Sequence, residues 1–171
     1  MHFPFRLDSG REFDVVGFGT NAVDYLIQVP EYPSFNSKIE LDQYVQAAGG
    51  EIATTMAGLS RLGIKTLYAG RFGDDREGDF GLESLRADGV DLTFAERIPG
   101  ARTQIAFIVI DIRNGERTII WKRDAALGYA PEEAPVGAVG RSRILHFTPH
   151  DTRACIALAR EAKRTGTIVS I

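Results

Sequence analysis

Three segments with helical periodicity each stop at a glycine, and they are set between runs rich in β-formers. This alternation constrains the fold more tightly than any other feature. In EIATTMAGLSRLG the apolar residues fall at positions 52, 53, 56, 59 and 62, with Gly63 where a C-terminal cap belongs. EGDFGLESLRADG is stopped the same way. DTRACIALAREAKRTG runs from a candidate N-cap, Asp151, to Gly166. The strand-like runs are Phe13 to Phe18, IKTLYAGRFG, Ile144 to Phe147 and the closing TIVSI. A β-α-β-α order of this kind predicts a parallel sheet covered by helices.

Two pieces stand outside the alternation. KIELDQYVQ alternates at Ile39, Leu41 and Val45, which predicts a strand or a pair of short strands over 38–46. TQIAFIVIDIRNGERTIIWKR predicts two strands joined across Asn114-Gly115, because both residues tolerate positive φ. We expect these pieces to form a separate small sheet. Between them and the first strand, the two prolines of YLIQVPEYPSFNS forbid a long helix. The sequence stops at Ile171 inside a strand-like run, which reads as part of a longer protein.

Composition removes several function classes. The 171 residues suffice for one domain with a real core. A formal net charge of -3, with Lys and Arg scattered, gives no support for a nucleic-acid partner. The apolar run Ile105 to Ile110 is far too short to span a bilayer, so no membrane partner is expected. The N-terminal MHFPFRLDSGREF has no basic segment followed by an apolar one, as a secretory signal requires. The lone Cys155 excludes an internal disulfide and any cysteine-based zinc cluster, and a cytoplasmic location follows as the expectation.

The stretch DVVGFGTNAVDYL imitates a dinucleotide-binding fingerprint, as Gly17-x-Gly19-x-x-Ala22. That fingerprint needs a helix whose N-terminus faces a pyrophosphate, and Pro30 and Pro33 follow too soon. Glu40 lies about 20 residues on, where a ribose ligand belongs, but in an alternating segment behind those prolines. A dinucleotide-dependent oxidoreductase is therefore kept only as a runner-up. A second feature is Gly49-Gly50 directly before a helix, where backbone can approach a ligand and helix N–H groups are free. AGRFGDDREGDFG repeats the arrangement with Gly73, Asp74, Asp75 and Gly78.

Taken in order, these segments resemble the N-terminal part of the ribokinase-like, PfkB-type carbohydrate kinases. The resemblance runs from Asp14 to the last residue. It rests on VVGFGTNAVDYLIQVPEYP, AAGGEIATTMAGLSRLG, YAGRFGDDREGDFGLESLRADGVD and TQIAFIVIDIRNGERTII. It implies an α/β fold, a ribokinase-like doubly wound sheet, with a small β-sheet lid from segments about 34–48 and 101–124. It implies ATP-dependent phosphorylation of a sugar or related hydroxyl, with ATP and Mg as cofactors and a small-molecule sugar as partner. An exposed lid edge strand also invites pairing with another copy, giving a homodimer through the lid sheet.

Carried over by position, the resemblance implies that Asp24 holds sugar hydroxyls, for which a carboxylate is apt because it accepts two hydrogen bonds from a diol. The alternative for Asp24 is a simple turn residue. Gly49 and Gly50 match the double glycine beneath the sugar, and Thr54 stands where the family commonly has Asn. Asn21 lies nearby but out of step with the usual sugar-binding Asn. Ile105 and Phe107 present an apolar lid face to the sugar, or pack in the core. Arg123 meets an anionic substrate group, or is a solvated surface residue. His150, with Asp151, lies at the carboxyl end of a strand, where open α/β sheets bind ligands. Cys155 reads as inert core and Trp121 as lid packing. Gly73 and Asp74 read as an architectural turn.

The family also carries, in its C-terminal half, a G-A-G-D motif that supplies the anion hole and the catalytic base. No such motif occurs in these 171 residues. We therefore expect no catalytic residue in this chain, no nucleotide-binding part, and negligible kinase activity from it alone. The further alternative is a non-catalytic sugar-binding or lid-docking module.

Overall fold

A computed structural model describes residues 10–171, and its strands sort into two sheets. The residues before Gly10, where no signal segment was read, lie outside the described part. In chain order the elements are β1 (Phe13–Phe18), β2 (Ala22–Val29), β3 (Gln43–Gly49), α1 (Glu51–Arg61), β4 (Thr66–Gly73), α2 (Arg76–Ala87) and β5 (Asp91–Ile98). There follow β6 (Ile105–Asp111), β7 (Arg117–Lys122), α3 (Val136–Val139), β8 (Ser142–Phe147), α4 (Thr152–Thr165) and β9 (Ile168–Ser170).

The larger sheet has the order β5-β4-β1-β8-β9 and is parallel throughout. Alternate side chains leave it on opposite faces, as the strand period requires. Leu67, Ala69, Leu145 and Phe147 pack on one side with Ala154, Cys155, Leu158 and Ala162 of α4. Val15, Tyr68 and Phe72 pack on the other with Ile52, Ala53 and Met56 of α1 and Leu85 of α2. Helices therefore cover both faces, the doubly wound arrangement expected from the alternation. The three helices expected from the sequence, α1, α2 and α4, end as the glycines predict: Gly63, Gly89 and Gly166 follow them with φ of 84°, 77° and 72°.

The smaller sheet has the order β3-β2-β6-β7 and differs from expectation in its centre. It contains β2, a strand the two prolines had concealed. Pro30 ends β2 rather than abolishing it, as suits a residue that cannot donate to a ladder. The sheet thus begins at Ala22, not near 34, and Asp24 stands within a strand of the smaller sheet rather than in a turn. The 38–46 strand is really Gln43–Gly49, and Ile39 and Leu41 lie outside any strand. β5 was not foreseen; it is an edge strand with few buried side chains and no clean alternation. The hairpin is present, but only Gly115 takes positive φ, at 77°. Asn114 instead accepts the Glu116 N–H on its side chain, at 2.9 Å. Leu62, placed on the buried face by its period, is exposed.

The two sheets meet where the chain crosses between them, at 19–21 and at 49–50. Gly50 has φ of 93°, and a Cβ there would overlap the backbone of Asn21, so the crossing segments lie against each other. A strand, β2, follows Gly19, so no helix N-terminus stands behind the glycines of the dinucleotide-like motif. None of the described helices is long and apolar enough to cross a membrane.

Candidate functional site

A cleft of about 370 Å³ opens between the carboxyl end of the parallel sheet and one face of the smaller sheet. The core side supplies Thr20, Gly50 and Glu51 from the crossing and the start of α1, and His150 from the loop after β8. The smaller sheet supplies Ala22 and Asp24 from β2, Ala106 and Ile108 from β6, and Ile119 and Trp121 from β7. Gln104, just before β6, completes the lining. This is the place where open α/β sheets bind ligands, outside the carboxyl ends of their strands.

Register explains which side chains face the cleft. Asp24 pairs with Ala106 and with Ala47, and Ala106 pairs with Trp121. Leu26, Ile108 and Ile119 form the next row on that face. Ile105 and Phe107 sit one residue out of phase and so point to the opposite face, where Phe107 stacks on Tyr25 with centroids 5.3 Å apart. Ile105 lines a different cavity there, with Asp75, Glu77 and Lys122. The apolar wall of the cleft is therefore Ala106, Ile108, Ile119 and Trp121, not Ile105 and Phe107.

Asp24 is half-buried, and among the described residues no donor bonds its carboxylate. Burial holds its carboxyl above the ordinary carboxylate range. Its side chain lies against Gly49, so closely that a Cβ at Gly49 would overlap the carboxylate. The double glycine thus has two separate uses: Gly49 makes room for the acid, and Gly50 makes the turn into α1. The Gln104 side-chain carbonyl is likewise buried with no hydrogen-bond partner. An orphan acceptor of this kind in a cleft is a group a ligand can satisfy. His150 Nε2 lies 3.3 Å from Glu51 Oε2, bridging the β8 loop to the start of α1 at the cleft wall.

The remaining predicted site residues lie elsewhere. Asn21 is 5% exposed and acts as a clip. Its Nδ2 donates to Tyr68 Oη and to the Arg71 carbonyl, each at 2.9 Å, and Tyr68 Oη donates to the Gly19 carbonyl at 2.7 Å. Burial pushes the Tyr68 phenol far above its usual value, so it stays a donor. Asn21 and Thr54 line a second, smaller cavity between α1 and α2 instead of the cleft around Asp24. Arg123 is neither solvated nor free to meet a substrate. Its Nη2 donates to Asp151 Oδ2 at 3.0 Å and to the Leu127 carbonyl at 2.9 Å. Asp151, in turn, makes no side-chain cap to α4. Cys155 is buried as expected, and burial pushes its thiol up to about 11. At the turn after β4 the working residue is Asp75, which caps α2, rather than Asp74.

Sequence reasoning missed Thr20, Glu51, Gln104 and the cleft-facing role of Trp121. Trp121, on the edge strand β7, is 59% exposed. The alternation of the β6 and β7 runs could have separated Ala106 and Ile108 from Ile105 and Phe107. It could not say which set faced Asp24 without the strand pairing.

A family model described as pfkB family carbohydrate kinase matches residues 14–170. Fructokinase-2 of Oryza sativa subsp. japonica is 30% identical over 164 residues, covering 91% of this chain and 47% of the rice protein. A nucleoside kinase of Methanothermobacter thermautotrophicus is 26% identical over 157 residues, covering 92% of this chain and 50% of its own length. The structure of Arabidopsis thaliana ribokinase complexed with ribose and ATP superposes with a TM-score of 0.77 at 21% identity, covering 92% of this chain and 52% of that one. The chain spans about half the length of the curated relatives it matches.

Proposed function

The chain belongs to the pfkB family of carbohydrate kinases, and from that premise we propose that it is the acceptor-binding part of an ATP-dependent kinase for a sugar or related hydroxyl. The observation that carries the proposal is the unpartnered Asp24 carboxylate, held half-buried in the cleft with Gly49 clearing space for it. A carboxylate in that position accepts hydrogen bonds from two adjacent hydroxyls, and its removal from bulk water strengthens both. Gly50 brings backbone to the same wall. The smaller sheet acts as the lid: closing it over the substrate excludes water from the acceptor hydroxyl.

Phosphoryl transfer rests on positioning and on stabilising a spread-out anionic transition state. The residues here supply the first. No G-A-G-D occurs in the 171 residues, and we propose that the base, the anion hole and the ATP cleft are not in this chain. Among the described residues no cluster of three or more His, Cys, Asp or Glu could hold a metal ion. ATP and Mg belong to the proposed activity of the complete enzyme.

Two lesser elements complete the proposal. The lid's outer strands expose Tyr44 and Val45 on β3 and Ile119 and Ile120 on β7, two opposite edges of which either suits pairing in a homodimer; sedimentation as a single monomeric species at all concentrations would remove it. The lone cysteine suits a reducing, cytoplasmic setting.

Calorimetry of the 171-residue chain against a panel of sugars and nucleosides tests the main proposal. Binding of at least one polyol, lost in Asp24→Ala and independent of ATP, is the expected result, with negligible ATP-dependent phosphorylation. Binding that survives Asp24→Ala would sink the site assignment, and turnover by the chain alone would sink the division of labour. A non-catalytic sugar-binding module gives the same binding result. It is separated by asking whether the bound polyol is phosphorylated once a G-A-G-D-bearing partner or continuation is supplied.

A further inference from the structure

Asp24, Ala106 and Trp121 form one row across three hydrogen-bonded strands, all on the cleft face. Adjacent strands lie about 4.8 Å apart, so the acid and the indole stand roughly 10 Å apart along the row. Between them is only the small, buried Ala106, which leaves a shallow floor. The next row adds Ile108 and Ile119 beside the indole. One end of the cleft is thus a polar seat for a diol, and the other is a flat aromatic and aliphatic wall. A single sugar ring covers about one strand spacing; a sugar bearing a flat heterocycle covers about two.

Charge narrows the ligand further. The titratable groups that line the cleft are Asp24, Glu51 and His150. Among the described residues no Arg or Lys lines it. The nearest basic groups in sequence are committed elsewhere: Arg123 is ion-paired to Asp151, and Lys122 faces the cavity on the opposite side of the sheet. A phosphorylated sugar would place its anion among carboxylates without a cation to meet it, which is unfavourable.

Resting on the acceptor-site reading above, we infer that the cleft takes a neutral nucleoside, its ribose diol on Asp24 and its base against Trp121 and Ile119. Stacking on an indole is tolerant of base identity, so the site selects the class rather than one base.

Trp121 is the sole tryptophan, so its emission reports on this contact alone. The full 171-residue chain is titrated with adenosine, ribose and ribose 5-phosphate, with affinities from calorimetry and emission followed in parallel. Adenosine is expected to quench Trp121 and to bind about tenfold tighter than ribose, the low end of what base–aromatic stacking contributes. Ribose 5-phosphate is expected to bind more weakly than ribose. The adenosine-to-ribose ratio falls toward one in Trp121→Ala and is kept in Trp121→Phe, with folding checked by circular dichroism.

Equal affinity for ribose and adenosine, both lost in Asp24→Ala, overturns the nucleoside inference and leaves the acceptor site standing. Tighter binding of ribose 5-phosphate overturns it through the charge argument. Emission that shifts with protein concentration but not with adenosine also overturns it, since a second copy then covers the indole. Ligand binding unaltered by Asp24→Ala defeats the acceptor-site reading itself.

Discussion

Burial does two things to Asp24 at once. It raises the carboxyl above the ordinary range, and it strengthens any hydrogen bond the ionised form accepts. The stability consequence follows from the direction of the shift. A folded-state value above the unfolded one means a relative contribution fully present below the unfolded value, about 3.9 for an aspartate, and lost as pH rises through the folded value. At neutral pH the charged Asp24 therefore works against the fold. Asp24→Asn, which keeps the shape and removes the charge, is expected to melt no lower than the parent at pH 7, and the difference should vanish on acidification below about pH 4. A clear loss of melting temperature at pH 7 would show that the carboxylate has a structural partner after all. Polyol binding should weaken as pH falls through the raised value, because the protonated acid accepts less well. Gly49→Ala belongs to the same site: its Cβ overlaps the carboxylate, so binding is expected to fall while the parallel-sheet core stays folded, read by calorimetry beside circular dichroism. At this scale the glycines and Asp24 were legible in the sequence, because a glycine requirement and an acid at fixed spacing are local. Gln104 and Trp121 were not, because only the pairing of β6 with β2 and β7 gives them a direction.

Among the elements, α2 and β6 are tied by one side chain. Asp75 accepts the Gly78 N–H at 2.9 Å as the cap of α2, and also the Thr103 N–H at 2.9 Å and the Thr103 hydroxyl at 2.7 Å, just ahead of β6. Desolvation raises the Asp75 carboxyl, but the bonds from Thr103 and Gly78 outweigh it and hold the group below its ordinary value. Asp75→Ala removes a cap and leaves the Thr103 amide without its acceptor, a combined cost of about 1–2 kcal/mol. Urea denaturation at pH 7 measures it; an unchanged midpoint would mean water replaces the carboxylate at no cost. The sign with pH is opposite to that of Asp24. A depressed folded value gives stability present above about pH 3.9 and lost as pH falls through the folded value, so parent and variant should converge in acid. Helices and the hairpin were legible because glycine stops and side-chain periods are short-range signals. β2 hid behind Pro30 and Pro33, which end it but do not prevent it. β5 carries Glu96 and Arg97 on a half-covered edge, so it lacks the alternation that reveals a strand.

In the whole molecule, the doubly wound core followed from the order of segments, but the way the smaller sheet is moored to it did not. Besides the four chain connections between the sheets, the mooring includes an ion pair. Arg123, one residue past β7, places Nη2 3.0 Å from Asp151 Oδ2, and Asp151 stands immediately before α4. Both side chains are mostly buried, at 21% and 14% exposure, so removing one leaves the other desolvated and unpaired. No sequence rule connects two residues 28 apart in separate loops, which is why Arg123 read as solvated and Asp151 as a cap. The pair joins the end of the smaller sheet's outer strand to the loop that carries His150. Arg123→Met keeps the aliphatic stem and removes the charge. It is expected to speed amide exchange in β6 and β7 while β1 and β4 keep their protection, since local opening draws on the contacts of the segment that opens. The double variant Arg123→Met with Asp151→Asn should recover part of the loss, with a coupling of about 1–2 kcal/mol in a thermodynamic cycle. Uniform acceleration across both sheets would instead make Arg123 a general stability residue, and additive losses would mean that the two charges act independently of each other. In the closure proposed above, the smaller sheet turns about the 19–21 and 49–50 connections, which lie away from the Arg123–Asp151 pair. For that reason the exchange effect should be graded, strongest at Trp121 beside the lost mooring and weakest at Ala22 beside the hinge.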